Sequence, residues 1–179
     1  MKIRYENTVD DLVAFNRFHS KHSPTVRRVQ LFAMYVVPAV VLVLTIVVAL
    51  DTGDVVLLIS GMMGAAAGVL LTPVIFRVVT DLMARRLYVE GTNKGTIGPH
   101  ELELSSGDLI ERTPFGESRA RLEVVERIAS DEDYTFIYIG AMMAHVIPHD
   151  AVTQGDLEAF VDAIRQLTAR SPAEPDGVL

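Results

Sequence analysis

The stretch GMMGAAAGVLLTP, residues 61–73, places small residues at the centre of a long apolar run. A core helix in water would carry bulk there, because side-chain volume fills the interior. In lipid the surroundings are already apolar. Helices then associate by close backbone approach, which Gly, Ala and Ser permit. The stretch lies within residues 55–76, which carry no charge, and a second uncharged run, residues 29–50, precedes it. At 1.5 Å per residue each run reaches roughly 33 Å, enough to cross a ~30 Å hydrocarbon core. A two-helix transmembrane hairpin follows as the expectation. Gly64 and Gly68 form a GxxxG pair, Ser60 extends it one turn back, and Gly61 and Ala65 lie beside it. These five are expected to form one helix-packing stripe. The connection, residues 51–54, is only DTGD, so the stripe should pack within the hairpin, with a homo-oligomer seam through the second span as the alternative. Pro38 and Pro73 are expected to kink or end helical hydrogen bonding.

Working outward, the composition fits such a partition. Half of the 179 residues are hydrophobic, yet 22% are charged. The mean hydropathy is +0.31. Residues 1–28 hold six Lys/Arg against three Asp/Glu, and residues 77–94 hold four against two, while the DTGD connection holds two acids and no base. Arg17, Lys21, Arg27 and Arg28 thus precede the hairpin, and Arg77, Arg85 and Arg86 follow it. These seven basic residues are read as topology-setting. They place both termini in the cytoplasm and the DTGD turn outside, in a multi-pass protein of the cell membrane. The spans hold no Asp, Glu, Lys, Arg or His, which argues against a proton or ion path and for an anchor in the lipid bilayer. Residues 95–179 hold six basic and sixteen acidic residues. Such a segment repels phosphate backbones, so a protein partner is expected rather than nucleic acid. Cysteine is absent, which removes disulfides and thiol chemistry.

The remaining segments read as follows. KIRYE suits a short strand, and Asn7 or Thr8 can cap a helix that stops before Pro24. Residues 77–90 continue the second span as an amphipathic helix, and GTNKGTIG, residues 91–98, marks a break. From residue 99 the period becomes two. HELEL puts Leu102 and Leu104 inward and Glu101 and Glu103 outward. The runs DLIERT, SRARLEVVERIAS, YTFIYIG and MMAHVIP follow, separated by turn residues, for five or so antiparallel strands. Thr153 or Gln154 is expected to start a last helix, with Leu157, Phe160, Val161, Ile164 and Leu167 as its apolar stripe. The tail SPAEPDGVL is expected to be disordered. The domains are therefore 1–28, an N-terminal cytoplasmic strand and helix; 29–76, the hairpin with spans 29–50 and 55–76; 77–94, a basic exit helix; 95–170, a cytoplasmic sheet-and-helix module; and 171–179, the tail.

This arrangement resembles the YcxB-like bacterial membrane proteins. The resemblance is carried by IRYENTVDDLVAFNRFHSK before the spans and above all by TFIYIGAMMAHVIPHDAVTQGDLEAFVDAIRQL after them. Where such proteins often carry a Trp, this chain has Leu122. The resemblance implies a membrane α+β fold, with the hairpin joined to an antiparallel sheet and C-terminal helix similar to bacterial pleckstrin-homology-like (PH-like) domains. It implies no catalytic residues.

His145 and His149 flank Pro148, but a spacing of four on a strand holds the rings far apart. His19 and His22 sit at i, i+3 on a helix, a weak metal pattern without further ligands. Asp131, Glu132 and Asp133 lack the spacing of a calcium loop. No GxSxG, Walker A, HExxH or GxGxxG motif occurs. Tyr134, Phe136 and Tyr138 alternate and read as packing residues. No catalytic, cofactor-binding or metal residue is assigned, and no cofactor is expected. The function expected is a non-enzymatic membrane protein whose acidic module docks a protein in a regulatory or scaffold role. The alternatives are a membrane-tethered enzyme with an unrecognised site and a small oligomeric transport component.

Overall fold

The computed structural model describes residues 1–90 and 95–170. The chain divides into two compact units, one formed by residues 1–15 with the chain from 87 onward, the other by residues 16–86. Helix α1 (Val9–His22) begins in the first unit and ends in the second, and helix α3 (Val55–Glu90) does the reverse.

The helical unit is built on α2 (Pro24–Thr52) and α3. Both are long and apolar enough to cross a membrane. Ser23 caps α2, with Pro24 at a first-turn position where a missing N–H costs nothing. Gly53 ends α2 in the left-handed region, its N–H donating to the Ala49 carbonyl. Asp54 caps α3 by accepting the Leu57 N–H (3.0 Å). Neither Pro38 nor Pro73 ends its helix, contrary to one form of the sequence expectation. Flanking turns on both sides hold each proline within a continuous helix. The hydroxyls of Thr45, Ser60, Thr72 and Thr80 all donate to carbonyls of their own helix. This satisfies them without water.

Among the described residues the strand unit contains eight strands in two antiparallel sheets. β1 (Lys2–Asn7) pairs with β2 (Gly98–Ser105), β2 with β3 (Asp108–Thr113), and β3 with β4 (Gly116–Arg121). A single 3-10 turn, Leu122–Val124, then carries the chain to β5 (Arg127–Ser130), β6 (Tyr134–Gly140) and β7 (Met143–Pro148), which form the second sheet. β8 (Val152–Gln154) returns to pair with β1. The run SRARLEVVERIAS therefore is not one strand. Leu122 is buried at the turn and splits it between sheets. Among the described residues seven strands follow residue 95, against the five or so expected.

β1 sits inside the five-stranded sheet, ordered β4-β3-β2-β1-β8. Its alternation puts Ile3, Tyr5 and Asn7 inward. Opposite them lie Leu102, His100 and Gly98. The last helix, α4 (Leu157–Arg170), begins later than Thr153 or Gln154, because those residues complete the edge of β1 as β8. Asp156 caps it, accepting the Ala159 N–H (3.0 Å). Between β8 and α4, Gly155 has φ +94°, and a Cβ there would fall within 3 Å of Ile3. Only glycine meets both constraints. Phe160 and Ile164 of α4 enter the core with Ile3, Leu102, Leu109 and Ile137. Leu167, expected on that stripe, is 39% exposed. On the other face of β6, Phe15 of α1 packs at 5.7 Å from both Phe136 and Tyr138. α1 is held there by its cap. Thr8 Oγ1 donates to Asp11 Oδ2 (2.7 Å), and the Tyr134 hydroxyl donates to Asp11 Oδ1 (3.0 Å). The expected break at 91–98 is in part, and the expected tail 171–179 wholly, outside the described residues.

Candidate functional site

Strand alternation creates the site. In HELEL, the face that buries Leu102 also buries His100, and Leu102 lies opposite Glu111 in β3. A carboxylate and an imidazole therefore point into an otherwise apolar interior. β7 adds His145, also buried. Nδ1 of His100 lies 3.0 Å, and Nδ1 of His145 lies 3.2 Å, from the same Glu111 oxygen, Oε1. Each ring nitrogen donates to that carboxylate. Nε2 of His100 faces the Thr96 carbonyl at 3.2 Å. Both nitrogens of His100 thus face acceptors.

Burial raises the Glu111 pKa, but the hydrogen bonds and charges of His100 and His145 outweigh it and hold the carboxyl at about 2. Tyr5 stacks on His100, with ring centroids 5.4 Å apart and planes 13° apart. Burial, reinforced by the charge of Glu111, pushes the Tyr5 hydroxyl up.

These groups line a cavity of about 240 Å³. Tyr5, Asn7, His100, Glu111 and His145 supply its polar wall, and Leu12, Phe15, Ile139, Met142 and Met143 its apolar one. Tyr5 is 2% exposed and Asn7 4% exposed. The Tyr5 hydroxyl and Asn7 Oδ1 have no hydrogen-bond partner.

The sequence did not single out these residues as a set. Its period-two reading of HELEL and DLIERT held the signal for His100 and Glu111, since both fall on the face of the inward leucines. The contribution of β1 and the convergence of β7 required the tertiary pairing. His145 and His149 are separate, as their spacing suggested: His149 Nε2 meets Thr135 Oγ1 (3.0 Å), and its Nδ1 donates to the Glu132 carbonyl (3.1 Å). His22 Nδ1 donates to the Phe18 carbonyl (2.9 Å). Asp131 accepts the N–H groups of Asp133 and Tyr134 as an ordinary turn. Among the described residues no group of three His, Cys, Asp or Glu side chains is arranged to hold a metal.

In the helical unit the small-residue stripe divides. A Cβ on Gly61 would run into Thr45, and one on Gly68 would come within 3.1 Å of Pro38, while Ala65 is buried between them. Gly64 meets nothing within 4 Å, and Ser60 is exposed. The expected single face is thus two: Gly61, Ala65 and Gly68 toward α2, Ser60 and Gly64 away from it. A rotation of 100° per residue explains the division. Arg17 pairs with Asp81 (2.7 Å). Lys21, Arg27, Arg28, Arg77, Arg85 and Arg86 stand exposed on the helices.

Residues 104–164 match the family model described as YcxB-like protein. The match runs from β2 into α4 and includes Glu111 and His145, but not Tyr5, Asn7 or His100. No curated protein and no solved structure matches the chain.

Proposed function

We propose that this chain is a multi-pass protein of the cell membrane with both termini in the cytoplasm, and that its strand unit is a PH-like module that docks a protein partner. It acts by binding, as a regulator or scaffold, rather than by turnover. The observation that carries this reading is the exposure of Phe115, Met142 and Met143 at hairpin tips, in a unit whose other large hydrophobic strand side chains are buried or half-buried. Water-exposed aromatic and Met side chains at turns have no folding role there, and Met adapts well to a partner surface. The seven exposed basic residues support the orientation.

The test is recovery of cross-linked proteins from native membranes with the full chain, comparing wild type with Phe115→Ser and with the Met142→Ser/Met143→Ser pair. A partner recovered by wild type and lost in either variant supports docking. The same proteins recovered from all three forms overturn it. Orientation is read separately. Thr52→Cys should label in intact cells, and Ser118→Cys only after permeabilisation; the reverse would reject the topology. The chain has no native cysteine to interfere.

One observation favours a second reading, a membrane-tethered enzyme. His145 gives its Nδ1 proton to Glu111 at the edge of a cavity, which is how a general base is oriented. Hydrolysis of an ester or amide panel that disappears in folded His145→Gln would favour it.

A further inference from the structure

Among the described residues the two sheets of the strand unit end in four outer strands, and three of them are poorly suited to pairing. β4 carries Glu117, Arg119 and Arg121, charges that blunt an edge. β8 is only three residues long. β7 is buried over His145–Pro148. The fourth, β5, presents the uncharged run Ile128, Ala129 and Ser130.

The phase of the β5–β6 ladder follows from its end, where the Asp131 N–H donates to the Tyr134 carbonyl (2.9 Å). Bonded pairs alternate in an antiparallel ladder. Ala129 and Arg127, opposite Phe136 and Tyr138, therefore turn their backbone groups toward β6. Ile128 and Ser130 turn theirs away. Two N–H and two C=O groups thus face outward, and no described residue bonds them. Such a row is a template for another extended chain.

The surrounding side chains decide which chain fits. Exposed acids flank the strand, Glu123 and Glu126 before it and Glu132 and Asp133 after it. The base within the strand, Arg127, turns its guanidinium onto the Tyr138 ring, 4.0 Å away. Beside Ser130, a groove of about 570 Å³ opens between the second sheet and α4. Leu157 and Val161 give it apolar lining, and Glu158 and Asp162 give it carboxylates. Arg165, also at the groove, is already paired with Asp162 (3.3 Å). A long basic side chain suits this lining, because its stem covers apolar surface while its charged head reaches acids. A strand added to β5 projects every second side chain to one face, so it can place one there.

We infer that β5 is an open sheet edge that receives an extended basic segment of a partner protein as an added strand, with a lysine or arginine side chain in the groove beside α4. This surface lies at the start of β6, whereas Met142 and Met143 follow its end. It is distinct from the hairpin tips and does not depend on the docking reading given for them.

The test uses the full chain in nanodiscs of zwitterionic lipid and three labelled peptides of equal length. One alternates lysine with valine, one alternates glutamate with valine, and the third is the lysine peptide with every backbone amide N-methylated. Fluorescence anisotropy gives their affinities. The lysine peptide should bind at least about tenfold more tightly than the glutamate peptide, and N-methylation, which keeps its charge, should weaken it about tenfold or more. Ser130→Pro removes one outward N–H and no bond to β6, and the pair Glu158→Gln/Asp162→Asn removes the carboxylates of the groove. Each should weaken the lysine peptide about fivefold or more with far-UV circular dichroism unchanged, while Phe115→Ser leaves its affinity as it was. Equal binding of the methylated or the glutamate peptide would overturn the inference. So would lysine-peptide binding that Ser130→Pro leaves intact, or no binding of any peptide. A dimer in sedimentation that Ser130→Pro abolishes, in place of peptide binding, would give the edge to a second copy and overturn it as well.

Discussion

In the strand unit four large aromatic side chains, Tyr5, Phe136, Tyr138 and Phe160, are inside. In the helical unit Phe32, Leu44 and Leu70 stand outside at 61–74% exposure, and the buried positions are Pro38, Ala49, Ala65 and Ala84. One chain thus uses opposite packing rules in two places. Burial of bulk is driven by water, at about 25 cal/mol per Å² of apolar surface. Where the surroundings are lipid, that drive vanishes, and close helix contact through small residues takes over. The exposed bulk and buried small residues of the helical unit support the proposed anchor.

Phe136→Ala removes a fully buried ring and should cost about 3–5 kcal/mol in urea unfolding of the nanodisc-held chain. A loss under about 1 kcal/mol would mean that the strand unit lacks a tight core. Leu44→Asp changes an exposed residue, which in a water-soluble protein would be nearly silent. Here it should oppose membrane insertion by about 3 kcal/mol, read as the fraction resisting carbonate extraction. Unchanged extraction would remove the argument that the helical surface faces lipid.

Glu111→Gln tests the cluster that Glu111 forms with His100 and His145 inside the strand unit. The carboxyl titrates near its ordinary value when unfolded and at about 2 when folded. Its contribution is therefore complete above about pH 5 and is lost as pH falls toward 2. Wild type should exceed the variant by about 2–3 kcal/mol at pH 6, and the gap should close by pH 2. A pH-independent gap would show that the charge is not what stabilises. The smallest effect concerns the divided stripe. Gly61→Val should cost about 1–3 kcal/mol in thermal unfolding, because Thr45 and α2 must shift. Gly64→Val should cost less than about 0.5 kcal/mol within one chain. Equal costs would restore a single packing face, and loss of an oligomer in Gly64→Val alone would make Ser60 and Gly64 an interchain seam.

How much of this was legible beforehand follows from the range of each signal. The long apolar runs, the DTGD connection, the Thr8 cap and the Leu102/Leu104 alternation depend on neighbours a few residues apart. The strand count failed where a local run crosses between sheets at Leu122, because nothing nearby distinguishes a continuous strand from one that turns a corner. The helix start failed at Thr153 and Gln154 because the open edge of β1, about 150 residues away, recruits them as β8.

By itself, then, the sequence determined which segments are helical, which alternate, and which apolar runs are long enough for a membrane. These follow from periodicity and length, which are properties of the chain alone. Only the tertiary structure decided that β1 lies within the sheet of the later strands, that Gly61 and Gly64 face different ways, and that Tyr5, His100, Glu111 and His145 share one cavity. Strand pairing joins residues as far apart as Arg4 and Gln154, and the chemistry of a cavity exists only once those walls have met.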